Sequence, residues 1–236
     1  MSRIAAQGKK RAGAGLLAVA SMMSLLFAAG AQAQAPVGLG TAGNFSVLGA
    51  TTITNPGATT MARDLGLHPG TEVTGAPQTL GASYIADAEG VALRAKNALT
   101  AAKIDAAGRA VTASAGTELA GRTFTPGVYN ASSTLIFSSG ILTLDAVGNP
   151  NAVFIFQVGS SLTTLSGTTV RLINGAQPCN VYWEIGEDVD LGTNSVFMGT
   201  VMAGNRITAA TGATLDGRLL ASNAAVNLNN NTITTS

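Results

Sequence analysis

The sequence has a single cysteine, Cys179, and a single histidine, His68. One cysteine excludes an internal disulfide, and one histidine without companions excludes the mixed Cys/His clusters that hold zinc. Cys179 precedes the apolar run 181–183 and reads as a small buried hydrophobe rather than a reactive thiol. Charge is equally scarce: 11% of the residues are charged and 5% aromatic, against 46% hydrophobic residues and 29 glycines. A disordered chain carries more charge and less apolar content, so this one folds.

The first residues are an address. Arg3, Lys9, Lys10 and Arg11 flank the start of the apolar stretch GAGLLAVASMMSLLFAAG, and Ala31-Gln32-Ala33 has the form of a cleavage site. We expect a signal peptide over 1–33, a domain over 34–236, and a secreted protein, extracellular or periplasmic, with no membrane association after cleavage. Without the leader, nine basic residues face twelve acidic ones. No basic stripe with interleaved aromatics remains, so nucleic acid is not an expected partner.

Between residues 83 and 109, Ile85, Ala88, Val91, Ala92, Ala95, Leu99 and Ala102 recur at helical spacing. Asp87 and Glu89 near the start, Lys103 and Arg109 near the end, and Gly108 as a stop complete the pattern of one amphipathic helix. Its mostly alanine face suits close approach to a flat surface.

The rest reads as short strands between Gly, Asn, Pro and Ser, and these strands repeat. VYWEIGEDVDLGTNSVFM, GTVMAGNRITAATGATLD and GRLLASNAAVNLNNNTIT begin at residues 181, 199 and 217, a constant offset of 18. Trp183, Val201 and Leu219 share one position, and Phe197, Leu215 and Ile233 another. FQVGSSLTTLSGTTV is an upstream copy, separated by a longer connection around INGAQPCN, and FSVLGATTITNPGATTMARDLG is an earlier related turn. Such repeats specify a solenoid, in which each coil buries its inward residues against the coils above and below. The predicted class is mostly β: an irregular β-solenoid with one long helix alongside.

Alternation places the residue before each inward Met61, Val170, Phe197, Leu215 and Ile233 on the outside, giving a column of Thr60, Thr169, Val196, Thr214 and Thr232. Around it stand Thr59, Ser166, Thr168, Thr193, Ser195, Thr211, Ala213 and Asn230, in the T-G-A-T-like units SGTT, TNSV, TGAT and NNNT. Thr is a good exposed strand residue in any solenoid, but an idle surface usually carries Lys, Glu or Arg beside it. A second column, Thr54, Thr163, Asp190, Thr208 and Asn227, ranks behind the first because an aspartate interrupts it.

The stretches LGTAGNFSVLGATTITNPG, ELAGRTFTPGVYN, NPNAVFIFQ and LINGAQPCNVYW resemble the ice-binding (antifreeze) proteins of cold-adapted bacteria, fungi and algae. The resemblance covers roughly residues 39–234. It implies a right-handed solenoid of triangular section, a flat Thr/Ser/Ala/Asn face, and an ice crystal surface as partner of a monomer without cofactor or metal. It also implies thermal hysteresis and inhibition of ice recrystallisation. The family's T-A/G-x-T/N pattern matches Thr211-Gly212-Ala213-Thr214 fully, Ser166-Gly167-Thr168-Thr169 except at its first residue, and Thr193-Asn194-Ser195-Val196 and Asn229-Asn230-Asn231-Thr232 less well. The non-ice alternatives are a secreted adhesion module and a polysaccharide-active β-helix enzyme. For the enzyme, Glu184, Glu187, Asp188 and Asp190 are the nearest carboxylates, and they read as a solvated acidic corner rather than catalytic residues.

Overall fold

All strand pairings between named strands in the described residues are parallel and join successive or nested coils. The computed structural model describes Met1 and residues 34–235, so the predicted leader, apart from Met1, lies outside the described residues. Each coil contributes strands to three sides. Seven strands form one side in the order Leu135–Phe137, Leu162–Thr164, Val189–Leu191, Ile207–Ala209, Val226–Asn227, Thr52–Asn55 and Glu72–Gly75. The other two sides belong to one bent 15-stranded sheet, because the eight-residue strands Val196–Ala203 and Thr214–Ala221 run through the corner between them. At that corner Gly217 sits on Gly199: a Cβ on Gly217 would lie 1.9 Å from the Gly199 carbonyl oxygen. Only glycine allows coils to stack so closely where the strand bends.

The registers expected from the repeats are observed. Phe156, Trp183, Val201 and Leu219 are consecutive partners, as are Phe197, Leu215, Ile233 and Met61. Their inward side chains form one core that includes a run of stacked rings: Phe156 and Trp183 lie 4.2 Å apart at 11°, and Tyr129 and Phe156 5.5 Å apart at 25°. Trp183 also donates its indole N–H to the Met198 carbonyl at 2.9 Å.

The order of the coils is not the order of the chain. Two coils, over residues 45–79, form first; the helix then carries the chain back along the stack, and the later coils return to meet the first. The contact is made by Val47 with Leu219, Ile53 with Val226 and Thr60 with Thr232, all in parallel register.

The helix is shorter than predicted, Val91–Gly108 instead of 83–109. Ser83–Ile85 instead pairs as a strand with residues 65–67, which supplies backbone partners that a helical turn there would forfeit. Ala86 and Gly90, with φ of +51° and +68°, separate the two. Ala88 is therefore exposed, whereas Ala92, Ala95, Leu99, Ala102 and Ala106 are buried against Leu48, Val128, Ile155, Tyr182, Met202 and Leu220. Asp87 accepts a hydrogen bond from the Ala92 N–H at 2.8 Å, and Gln157 donates to the carbonyls of Ala106, Ala107 and Arg109 at 2.8, 3.2 and 2.9 Å. Cys179, expected to be buried, is exposed, because the connection over residues 174–180 leaves the coil as a turn and a short 3₁₀ helix.

Two lysines on the buried side of the helix clasp the coils. Lys103 pairs with Glu184 at 2.8 Å and donates to the carbonyls of Ile185 and Met202. Lys96 donates to the carbonyls of Ala221 and Ser222. Burial pulls the Lys96 ammonium down to about 8 from 10.5, and Lys103 shifts the same way, burial outweighing its partner Glu184. The unfolded chain therefore holds these protons to higher pH than the folded one, and folding stability rises as pH climbs from about 8 towards 10.5. Tyr182, whose burial raises its phenol above 10.0, acts in the opposite direction at the top of this window. Melting temperatures measured across the window should rise in the native chain, and should rise less in Lys96→Met.

Candidate functional site

The seven-stranded side and the side carrying Thr214 meet at a corner made of short turns. In one coil the turn runs from Ala210 to Ala213, closed by the Ala213 N–H donating to the Ala210 carbonyl at 3.1 Å. Its third residue, Gly212, has φ of +73°, and its counterparts Gly167, Asn194 and Asn230 have φ of +72°, +55° and +52°. A left-handed residue at that place favours Gly or Asn, which is why these two alternate up the corner.

The sequence-derived site divides on this geometry. Thr60, Ser166, Thr211, Asn230 and Thr232 are exposed, and Thr169, Thr193 and Thr214 are partly exposed. Thr59, Thr168, Ser195 and Ala213 are buried, with relative exposures of 0–3%, and cannot contact a surface. They occupy the third position of the four-residue units, and alternation back from the following outward residue turns that position inward. Thr168 spends its hydroxyl on the Leu165 carbonyl, and Thr59 accepts from the Asn231 N–H.

The Thr214 side presents Ile141, Thr169, Val196, Thr214, Thr232, Thr60 and Gln78 in register. Two residues further along each strand, Arg171, Met198, Asp216 and Thr234 also face out. A trough of about 230 Å³ lies at the end of this side, over Met61 and Ile233, and Leu80, 90% exposed, stands at its margin.

The seven-stranded side presents Ile136, Thr163, Asp190, Thr208, Asn227, Thr54 and Thr74 in register. Asp190 does interrupt the column, as the sequence shows, but Arg206 lies 3.3 Å from Asp190 and 3.4 Å from Asp188. The next four coils, from Thr208 to Thr74, carry no charge in this column. Between one rank of Thr208, Asn227 and Thr54 and a second of Thr211, Asn229 and Pro56 lies a trough of about 280 Å³ floored by Ala209, Ala210 and Leu228. Each rank is linked along its own length: Thr54 donates to Asn227 Oδ1 at 2.7 Å, and Asn229 Nδ2 donates to Thr211 Oγ1 at 2.8 Å.

The four carboxylates considered for polysaccharide chemistry are all engaged, Asp188 and Asp190 by the same Arg206. Glu184 holds Lys103, Glu187 accepts from Ser160 at 2.8 Å, and Asp188 accepts from the Arg206 N–H at 3.0 Å besides its ion pair. Among the described residues no group of three or more His, Cys, Asp or Glu side chains is placed to hold a metal ion. What these sides offer is ordered columns of uncharged residues, from Thr208 to Thr74 on one and from Ile141 to Gln78 on the other.

Residues 47–234, most of the chain, match the ice-binding-like family. The chain belongs to that family. It is 41% identical over 200 residues to an ice-binding protein of Nostoc sp. (strain HG1), spanning 83% of this chain and 72% of that one. It is 34% identical over 233 residues to an ice-binding protein of Colwellia sp., spanning 90% and 89%. The crystal structure of an ice binding protein from an Antarctic biological consortium superimposes with a TM-score of 0.82 at 43% identity, covering 84% of this chain and 90% of that one.

Within this ice-binding-like fold the stretch NPNAVFIFQ supplies core residues Phe154, Ile155 and Phe156 together with Gln157, the cap on the end of the helix. Sequence reading missed Gln157, Lys96 and Lys103 as anchors. The two lysines are seven residues apart beside Ala95, Leu99 and Ala102, a spacing that places them on the packed side of the helix. It also missed Asn231, which stands in the NNNT unit without a charge to set it apart from Asn229 and Asn230.

Proposed function

We propose that this chain adsorbs to ice through the seven-stranded side and its corner, with Thr208, Asn227 and Thr54 as one rank and Thr211, Asn229 and Pro56 as the other. The observation that carries this reading is the uncharged, apolar-floored trough between an in-register rank on the strands and a second rank on the corner turns. Outward residues repeat at roughly 4.8 Å across coils, and a β-branched Thr holds its hydroxyl and methyl in a defined direction, so the surface is organised before ice arrives. Its methyl groups and the Ala floor disfavour disordered hydration while the hydroxyls and amides anchor water. Adsorbed molecules force the ice front to grow curved between them, which gives thermal hysteresis and restrains recrystallisation. The resemblance to proteins named for ice binding supports the same reading.

We further propose that the chain acts as a secreted monomer after removal of residues 1–33, and that the solenoid winds right-handed, as parallel crossovers do.

The Thr214 side is the second reading, favoured by its seven consecutive uncharged residues Ile141, Thr169, Val196, Thr214, Thr232, Thr60 and Gln78. Against it, Arg171 and Leu80 project from the same side and leave it less flat. Thermal hysteresis and ice-crystal shape, measured for Thr208→Tyr and Thr214→Tyr, separate the two. Loss confined to Thr214→Tyr transfers the contact to the other side; full activity in both with an intact fold removes ice adsorption at either.

A further inference from the structure

Beneath the corner lies a side chain whose bonding is unlike that of its neighbours. Asn231 is 1% exposed and belongs to the inward column of Thr168, Ser195, Ala213 and Thr59, where the other side chains are small. Its Nδ2 donates to the carbonyls of Ala210 and Ala213, the two ends of the turn that carries Thr211, at 2.9 and 3.0 Å. Its Oδ1 accepts from the Asn229 N–H at 2.6 Å, within its own coil. Its backbone N–H donates to Thr59 Oγ1, on the coil beyond, at 3.0 Å. One residue thus links three successive turns, and both atoms of its carboxamide are used.

The links end where the surface is built. Thr211 and Asn229 form the corner rank, and Asn229 bonds to Thr211 on the outside. The Asn230 carboxamide accepts from the Ala58 N–H at 2.8 Å, a second tie between the coil of Asn231 and that of Thr59. The Thr168 side chain, elsewhere in the column, bonds only to the Leu165 carbonyl of its own turn, whereas the Asn231 side chain reaches the turn of the neighbouring coil.

We propose that Asn231 is a positioning residue for ice adsorption: from inside the solenoid its carboxamide sets the spacing and orientation of Thr211 and Asn229, so ice affinity depends on a side chain that never touches ice. The proposal rests on the corner rank being part of the ice contact. A rigid array meets a crystal lattice without first losing conformational freedom, whereas a turn freed from its clasp must be ordered on binding. Asn231→Ala removes three hydrogen bonds and leaves buried carbonyls at Ala210 and Ala213 without that donor.

The test compares Asn231→Ala and Asn231→Ser, the latter sized like Ser195 in the same column, with Ile155→Val. Ile155→Val is a mild core deletion on the helix-covered side, and Thr208→Tyr reports on the face itself. Circular dichroism near 4 °C establishes which variants are folded. Hysteresis should fall about fivefold in both Asn231 variants and stay at the native level in Ile155→Val, a difference that loss of stability alone does not produce. Three-bond couplings of Thr211 should change from one χ1 rotamer to an average of several. Native hysteresis in a folded Asn231 variant, alongside an inactive Thr208→Tyr, overturns the positioning role while keeping the face. Native hysteresis in Thr208→Tyr overturns the face instead. If only Asn231→Ser folds, it decides alone.

Discussion

Thr208→Tyr lowers thermal hysteresis about tenfold, the loss expected at a central contact, while the melting temperature stays within a few degrees of native. Thr208 is outward and partly exposed, midway between Asp190 and Asn227 in the register of the seven-stranded side. A phenol there stands above both ranks and holds ice away from the trough over Ala210, but it displaces no core atom. Surface substitutions away from caps and buried networks change stability by about 0.5 kcal/mol or less, which is why fold and function separate in this variant. Thr54→Tyr, two coils away in the same rank, should behave alike. Thr163→Tyr lies beyond the Asp190 and Arg206 pair and should cost less. A hysteresis series along the rank, read with differential scanning calorimetry, maps the length of the contact; equal losses at Thr163 and Thr54 would extend it across the charged coil.

Trp183→Ala costs about 3–5 kcal/mol of stability, among the largest single losses a core substitution causes. Trp183 is fully buried, stacked on Phe156 and tilted against Phe197 at 4.8 Å. Its removal opens a cavity between coils and withdraws the donor from the Met198 carbonyl. For a domain of this length that corresponds to a fall of roughly 6–20 °C in melting temperature. Trp183→Phe fills most of the space and should lose less than half as much. Calorimetry on both variants checks the ordering; equal losses would show that the indole N–H, and not the ring volume, dominates. Near freezing Trp183→Ala should still be folded and keep hysteresis, because the Trp183 strand belongs to the other sheet from the strands that carry Thr208, Asn227 and Thr54.

Much of the architecture is legible in the residues. The offset of 18 aligned Trp183 with Val201 and Leu219, and those are observed partners. Inward and outward positions followed from alternation wherever a strand runs unbroken, as with Phe197 against Val196. The corner was harder. Thr168, Ser195, Ala213 and Thr59 resemble their exposed neighbours in composition, and copying a four-residue motif onto a surface hides the fact that one of its positions points inward. The helix start was missed because Ser83, Tyr84 and Ile85 find strand partners on residues 65–67, a non-local gain that helical periodicity does not register. Asp190 counted against its column as a bare charge, whereas Arg206 from the next coil, 3.3 Å away, pairs with it.

The sequence by itself determined the class of fold, the repeat, the inward column and the family resemblance, because these depend on periodicity and on local residue chemistry. The tertiary structure decided which coils are neighbours. A repeat states where a residue sits within its coil but not which coil stacks upon it; that choice belongs to backbone pairing over separations of more than 170 residues, as in the Leu228 N–H donating to the Thr54 carbonyl at 2.8 Å. By returning the chain along the helix, the fold sets Thr54 next to Asn227 and, through it, in line with Thr208, and so assembles from both ends of the chain an uncharged rank that neither end contains alone.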